Sequence, residues 1–159
     1  MKRRFFVLLL AATFLLSASA SSAGTALTEG RTIRVKIDLD LYVAQDGAFV
    51  RGATNLPSGS ELIVGLADQA YARRQGGYYG QSKVVVRRGK FHSERFTNRG
   101  TSLAPGRYRV DVSMSWAFLQ PQRVQAVIGR PGQALTGPLV DHDPSHGASV
   151  DFEQWFVLR

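Results

Sequence analysis

The densest group of possible metal ligands in the sequence is one short stretch, residues 141–146. It reads Asp141-His142-Asp143-Pro144-Ser145-His146, so two imidazoles and two carboxylates lie within six residues. Imidazole and carboxylate groups together suit zinc or copper. The spacing of the histidines would align them on a helix, but the proline between them disfavours a helix. The stretch is more typical of a solvated polar turn, and we predict no bound cofactor.

A second candidate site is the irregular stretch of residues 68–81, in which no period of two or 3.6 residues persists. It contains three tyrosines, two arginines and three glycines. Tyrosine rings can stack on sugars, and arginine side chains bind anionic groups through paired hydrogen bonds. Alternatively, a loop of this length packs its tyrosines on the rim of a sheet. The candidate binding residues are Tyr71, Arg73, Arg74, Tyr78 and Tyr79.

The sequence carries no recognisable catalytic constellation. It has no cysteine and no G-x-S-x-G nucleophile motif. His92 lies in a predicted strand without a partner at the spacing of a triad. Asp38 and Asp40 alternate along a strand whose same face carries basic residues, which explains them better as surface charge than as the carboxylate pair of a glycoside hydrolase. We therefore predict that the protein is not an enzyme.

The first 23 residues have the composition of a secretory signal peptide. Three basic residues at positions 2–4 precede an apolar run over residues 5–16, and small residues follow up to Ala23. As a helix the apolar run spans ~18 Å, too short for a ~30 Å hydrocarbon core. We therefore expect cleavage, and a mature chain of residues 24–159 that has no transmembrane segment and is periplasmic or secreted.

The composition of the mature chain fits one modestly basic domain. Of the 20 basic residues, three lie in the signal peptide, and the remaining 17 outnumber the 12 acidic residues by five. A positive field favours anionic partners such as polysaccharides, although net charge also serves solubility. We expect no nucleic-acid partner for an exported protein. Because the exported chain has no cysteine, its stability must come from packing and sheet hydrogen bonds.

The rest of the sequence alternates as half-buried strands do. In the longest such stretch, residues 103–118, Pro105-Gly106 predicts a turn and every even-numbered residue from Tyr108 to Phe118 is apolar. We predict that this is the central strand. Further strands are predicted over residues 32–43, 48–53, 61–67, 82–88, 90–96, 123–128 and 149–158. About eight strands without a helical period predict an all-β protein, a single antiparallel β-sandwich over residues 24–159.

Residues 103–112 resemble the L-x-P-G-x-Y-x-V-x-V run of fibronectin type III and related immunoglobulin-like domains. The resemblance implies an immunoglobulin-like sandwich, in which Tyr108 begins a late strand and its hydroxyl forms a hydrogen bond back across a corner. Residues 54–62 are similar to a turn between strands of bacterial immunoglobulin-like modules. Trp116 and Trp155 both come late, whereas the family has a tryptophan on an early strand. The resemblance concerns the fold and implies no function.

Three hypotheses for function follow from the sequence. The first is an exported, non-enzymatic β-sandwich binding module of the bacterial envelope, with an envelope protein or an anionic polysaccharide as partner. The second is a periplasmic protein that binds zinc or copper through Asp141, His142, Asp143 and His146. The third is a structural or chaperone component of a surface assembly, which would use an exposed sheet edge for strand addition.

Overall fold

The computed structural model describes residues 32–159, and the predicted signal peptide lies outside that range. The described residues contain ten strands, against about eight predicted: β1 (Ile33–Arg34), β2 (Ile37–Ala44), β3 (Gly47–Thr54), β4 (Glu61–Asp68), β5 (Tyr79–Val85), β6 (Lys90–His92), β7 (Gly106–Met114), β8 (Leu135–Thr136), β9 (Val140–Asp143) and β10 (Gly147–Leu158). Two short helices, α1 (Gln69–Ala72) and α2 (Gln122–Ile128), and a 3₁₀ turn over Ala117–Leu119 complete this part of the chain. The fold is therefore mostly β.

Two antiparallel sheets carry most of the strands. The larger sheet has the order β5-β4-β7-β10-β9, and the smaller has the order β2-β3-β6. Their edges are thus β5 and β9 in the larger sheet, and β2 and β6 in the smaller one. A short parallel pair, β1 with β8, lies outside both sheets. No helix within residues 32–159 is long and apolar enough to cross a membrane.

One hydrophobic core lies between the two sheets. Apolar residues of both sheets are buried in a single cluster, which includes Leu62, Val64, Leu66, Val110 and Val112 from the larger sheet and Ile37, Leu39, Val50 and Phe91 from the smaller sheet. Because each strand has period two, one face of each sheet supplies these side chains. This two-layer arrangement is consistent with the predicted β-sandwich.

Strand β7 is the middle strand of the larger sheet, as predicted for the longest alternating stretch of the sequence. It pairs with β4 on one side and with β10 on the other. Its even-numbered residues, Tyr108 to Met114, are all buried. The strand ends four residues earlier than predicted, because the alternation stops at Trp116: Ala117 is fully buried, whereas Phe118 is exposed. The chain turns there into the 3₁₀ turn.

Residues 123–128 form helix α2, and the prediction of a strand there is wrong. Val124 and Ile128 are fully buried, whereas Ala126 is exposed. A spacing of four residues places two side chains on one face of a helix, and the same spacing also satisfies the period of a strand. Alternation alone therefore could not separate the two structures. Pro121 is the residue that precedes the first turn of the helix, a place where its missing N–H costs no helical hydrogen bond.

The strand predicted over residues 32–43 is interrupted, and the interruption separates β1 from β2. Asn55 bridges the break with its side chain. Its Oδ1 accepts a hydrogen bond from the Lys36 N–H at 2.8 Å, and its Nδ2 donates to the Arg34 carbonyl at 2.7 Å. These contacts turn β1 away from the smaller sheet toward β8, its parallel partner.

The Tyr108 hydroxyl closes the corner before β7. It donates a hydrogen bond to the Ala104 carbonyl at 2.9 Å, and the residue is only 3% exposed. We expect Tyr108→Phe to lower the free energy of unfolding by about 0.5–1.5 kcal/mol, since the hydrogen bond is lost while the ring remains. Urea denaturation measures the change.

Tyr42→Phe is the matched control for this prediction. Tyr42 is 39% exposed and its hydroxyl makes no hydrogen bond to any residue in the described range. Its replacement is expected to change the free energy of unfolding by less than about 0.5 kcal/mol. An unchanged denaturation midpoint for Tyr108→Phe would show that the hydroxyl does not stabilise the corner.

Candidate functional site

The segment between β4 and β5 is a short ordered loop held by one carboxylate. The predicted loop over residues 68–81 is shortened at both ends, because β4 extends through Asp68 and β5 begins at Tyr79. Asp68 Oδ1 accepts a hydrogen bond from the Tyr71 N–H at 2.7 Å, and Oδ2 accepts one from the Tyr78 N–H at 2.8 Å. Asp68 therefore caps helix α1 and ties the two ends of the loop together.

Two of the three tyrosines in this segment form an aromatic pair. The rings of Tyr71 and Tyr79 stack with their centroids 4.6 Å apart and their planes within 4° of parallel. Tyr71 is 41% exposed, so the pair presents aromatic surface to solvent. Burial is the main cause that raises the pKa of the Tyr79 hydroxyl. We refer to Tyr71 and Tyr79 as the tyrosine platform.

Tyr78 lies apart from the tyrosine platform. Its ring packs edge-on against Tyr108, with 6.5 Å between the centroids, and Tyr78 contacts the hydrophobic core. Burial, and next the neighbouring Tyr108, raise the pKa of its hydroxyl. Of the five predicted binding residues, Tyr78 therefore has a packing role, as the alternative reading of the loop allowed.

Arginine side chains flank the tyrosine platform. An open cleft of about 490 Å³ is lined by Tyr71, Ala72, Arg74, Gly76 and Arg109. Arg73 and Arg74 are both exposed, and neither forms an ion pair with a carboxylate of residues 32–159. The guanidinium groups are thus available to an anionic group that approaches the platform.

Arg109 was not among the predicted site residues. It lies on the polar face of β7, and its register partner on β4 is Ala67, which brings it beside the loop. Its guanidinium is 3.6 Å from the Glu153 carboxylate and 3.8 Å from Asp111. The alternation of β7 showed that Arg109 faces outward, but only the pairing of β7 with β4 shows which loop it meets.

Asp111 is a half-buried carboxylate beneath this arrangement. Burial is the main cause that raises its pKa; the Arg109 guanidinium lowers the pKa, and Glu153 and Asp151 raise it. Asp111 Oδ1 and Arg109 Nε are buried without a hydrogen bond to another described residue. Asp111 and Arg109 therefore interact through charge at 3.8 Å rather than through a hydrogen bond.

The candidate metal ligands do not converge on one point. Asp141 and His142 lie on strand β9 rather than in the predicted loop, and the His142 Nε2 atom is 3.1 Å from the Leu135 carbonyl. His146 Nδ1 instead lies 3.0 Å from Asp143 Oδ1. That oxygen also accepts two backbone N–H groups of the following turn, which is the main cause that lowers the Asp143 pKa. Across residues 32–159, no three His, Cys, Asp or Glu side chains are grouped to hold a metal ion.

Comparison with known proteins gives no relative for this chain. No protein-family model matches it, and neither a curated protein nor a solved structure matches it. The function is therefore inferred from the residues of this chain and their arrangement.

Proposed function

We propose that the protein is an exported, non-enzymatic β-sandwich module that binds an acidic glycan of the bacterial envelope through the tyrosine platform. The observation that carries the proposal is the stacked Tyr71–Tyr79 pair beside Arg74 and Arg109. The composition of residues 1–23 supports export to the periplasm or the exterior. The sequence of residues 103–112 supports an immunoglobulin-like form of the sandwich, as does the hydrogen bond of Tyr108.

The chemistry of the tyrosine platform matches a sugar that carries an anionic substituent. A flat aromatic ring contacts the apolar C–H face of a sugar ring. Arg74 can then bind a carboxylate or phosphate group of the sugar through paired hydrogen bonds. The Asp68 hydrogen bonds already fix both ends of the loop, so binding would order few additional residues.

We propose binding without a reaction at this site. Asp111 and Glu153 are the carboxylates closest to Arg109, and both lie within 4 Å of its guanidinium. Held in ion pairs, they are poorly placed to act as the separate acid and base that hydrolysis of a glycosidic bond requires.

A triple variant, Tyr71→Ala, Arg73→Ala and Arg74→Ala, tests the proposed function. All three residues are exposed, so the fold is expected to persist. We expect the Kd of the variant for acidic oligosaccharides to rise at least about tenfold above that of the wild type, because the exposed ring and both unpaired cations are removed. A glycan array with matched neutral and acidic oligosaccharides, followed by titration calorimetry, measures the change.

The matched control removes one exposed aromatic ring and two exposed arginines elsewhere on the surface. Its substitutions are Phe118→Ala, Arg34→Ala and Arg130→Ala, at residues that line neither the platform cleft nor the cleft between Tyr79 and Arg99. We expect this variant to bind as the wild type does. Equal binding by the loop variant and the wild type would remove the tyrosine platform from the function. Capture of an envelope protein, together with no binding to any oligosaccharide, would replace the glycan with a protein partner.

A further inference from the structure

Three arginines from separate parts of the chain meet at a cleft far from the tyrosine platform. Arg87 and Arg88 belong to the turn between β5 and β6, and Arg123 lies in the first turn of α2. The cleft measures about 460 Å³, and its lining contains these three arginines and Ser58 but no carboxylate. None of the three forms an ion pair within the described part of the chain. We call them the arginine cluster.

The arginine cluster and the tyrosine platform lie at opposite ends of β5. Tyr79 is the first residue of that strand, whereas Val85, its last residue, lines the cleft of the arginine cluster. A strand rises ~3.3 Å per residue, so its seven residues separate the two places by roughly 20 Å. Each surface can therefore be altered without touching the other.

Specific backbone contacts hold the arginines at the cleft. Arg88 and Gly89 have φ angles of 51° and 74°, which defines a two-residue hairpin turn of the mirror-image type. The Arg88 N–H donates a hydrogen bond to Ser58 Oγ at 3.0 Å. Arginine is unfavourable at the first position of such a turn compared with asparagine. The turn geometry therefore does not explain why an arginine stands there.

The Arg123 guanidinium lies close to the backbone of Gly59. Gly59 has a φ of 97°, and a β-carbon at this position would stand only 3.0 Å from the Arg123 Cζ atom. Any larger residue would displace the guanidinium from the loop. Glycine thus lets the Arg123 guanidinium lie against the backbone, where it faces the same cleft as the other two arginines.

A second basic cleft adjoins the arginine cluster along the open edge between the sheets. It measures about 770 Å³ and shares Val85 and Arg87 with the first cleft. Its basic lining residues are Arg51, Lys83, Arg87 and Lys90, against one carboxylate, Glu94; Lys83 also forms an ion pair with Glu61 at 2.7 Å. The Arg51 guanidinium is held in place over the Tyr42 ring, 4.5 Å from its centroid. The two clefts together form a basic track that runs from Arg123 to Arg51.

We propose that this basic track binds a linear anionic polysaccharide, whose repeated carboxylate, phosphate or sulfate groups pair with the guanidinium groups. The three arginines of the arginine cluster converge without a carboxylate in the cleft lining and repel one another, and an anionic ligand relieves that repulsion. Two adjoining clefts accommodate consecutive anionic groups of one chain, whereas a single phosphate ion would fill only the first. A flat lipid surface does not enter a concave cleft. The proposal does not rest on the tyrosine platform.

A variant with Arg87→Gln, Arg88→Gln and Arg123→Gln tests this proposal against a control of equal charge. The control carries Arg99→Gln, Arg107→Gln and Arg159→Gln, and all six residues are exposed. Titration calorimetry uses polygalacturonate and dextran sulfate as anionic chains and neutral dextran as the blank. We expect the wild type to bind both anionic chains, with affinity that falls as NaCl is added. The cluster variant should bind about tenfold more weakly, and the control within about twofold of the wild type.

Further measurements distinguish the anionic polymer from inorganic phosphate, from anionic lipid and from an effect of net charge alone. Equal losses in the cluster variant and the control would mean that net charge alone attracts the polymer, which overturns the proposal. Binding to inorganic phosphate as tight as to the polymers, or binding only to vesicles that contain anionic lipid, would overturn it as well. Arg88→Asn suits the turn and provides a variant that keeps the fold; its affinity is expected to fall about twofold to threefold. The Tyr71, Arg73 and Arg74 variant should still bind these polymers, because its basic track is intact; loss of all polymer binding in this variant would assign the polymers to the tyrosine platform and overturn the proposal.

Discussion

Val112→Ala is expected to lower the free energy of unfolding by about 2–3 kcal/mol. Val112 is 1% exposed at the middle of β7, with Val64 of β4 and Phe152 of β10 as its register partners. The substitution removes two buried carbon atoms, each about 0.8 kcal/mol in transfer free energy, and leaves a cavity that adds to the loss. Guanidinium denaturation followed by tryptophan fluorescence measures the change.

Val157→Ala makes the same chemical change on the surface. Val157 lies on β10 and is 63% exposed, so its replacement is expected to change the free energy of unfolding by less than about 0.5 kcal/mol. Both variants replace a strand valine with alanine, so the difference between their free energies of unfolding reports burial rather than β-propensity. Similar losses in the two variants would contradict a core centred on β7.

Gly65→Ala is expected to lower the free energy of unfolding by about 1–3 kcal/mol, although the added group is a single methyl. Gly65 lies directly opposite Asp111 in the β4–β7 register. A β-carbon at Gly65 would stand 2.7 Å from the Asp111 Cγ atom and 2.9 Å from its Oδ1. The half-buried carboxylate would have to shift from its place beside Arg109, which is the strain expected of overpacking.

A double-mutant cycle with Asp111→Ala separates this clash from other effects. Without the carboxylate, Gly65→Ala is expected to be neutral or to stabilise the protein by up to about 1 kcal/mol, because alanine loses less conformational entropy in a strand than glycine. Urea denaturation of the four proteins gives the coupling free energy. An equal loss in both backgrounds would show that Gly65 is not needed to accommodate Asp111.

Alternation along half-buried strands predicted much of the sheet. In β7 the even-numbered residues are apolar and buried, and the strand lies in the middle of its sheet. The strands predicted over residues 32–43 and 48–53 pair as the β2–β3 hairpin through the Asp46-Gly47 turn, with Ala44 opposite Gly47 in the register. Both features are local, since a period of two and a turn residue are properties of neighbouring positions.

Features that depend on contacts between distant residues could not be read from these patterns. The break between β1 and β2 depends on the Asn55 side chain, which lies about twenty residues further along the chain. Helix α2 was missed because buried residues four apart satisfy both the helical and the strand period. In each case a tertiary contact decides between two locally acceptable structures.

The candidate sites likewise depend partly on local sequence patterns and partly on contacts between distant residues. Composition identified the tyrosine- and arginine-rich segment, but the Ala67–Tyr79 pairing of β4 with β5 decides that Tyr79 joins the tyrosine platform, while Tyr78 packs inward. The arginine cluster gave no sequence signal, because Arg123 is separated by more than thirty positions from the turn that carries the other two arginines. Composition therefore identifies the segment that contains the site, whereas the pairing of the strands decides which of its residues form the tyrosine platform.

Chemical-shift mapping tests the central claim, glycan binding at the tyrosine platform, most directly. The ¹⁵N-labelled protein is titrated with the acidic oligosaccharide that binds most tightly on the array, and amide shifts are followed by NMR. We expect large shifts at Tyr71, Arg74 and Tyr79, and none of comparable size at Ser145, which is exposed in the Asp143–Gly147 turn, at the end of β10 opposite to Trp155, the register partner of Arg109. Saturable binding that leaves the amides of α1 and the start of β5 unshifted would contradict the claim.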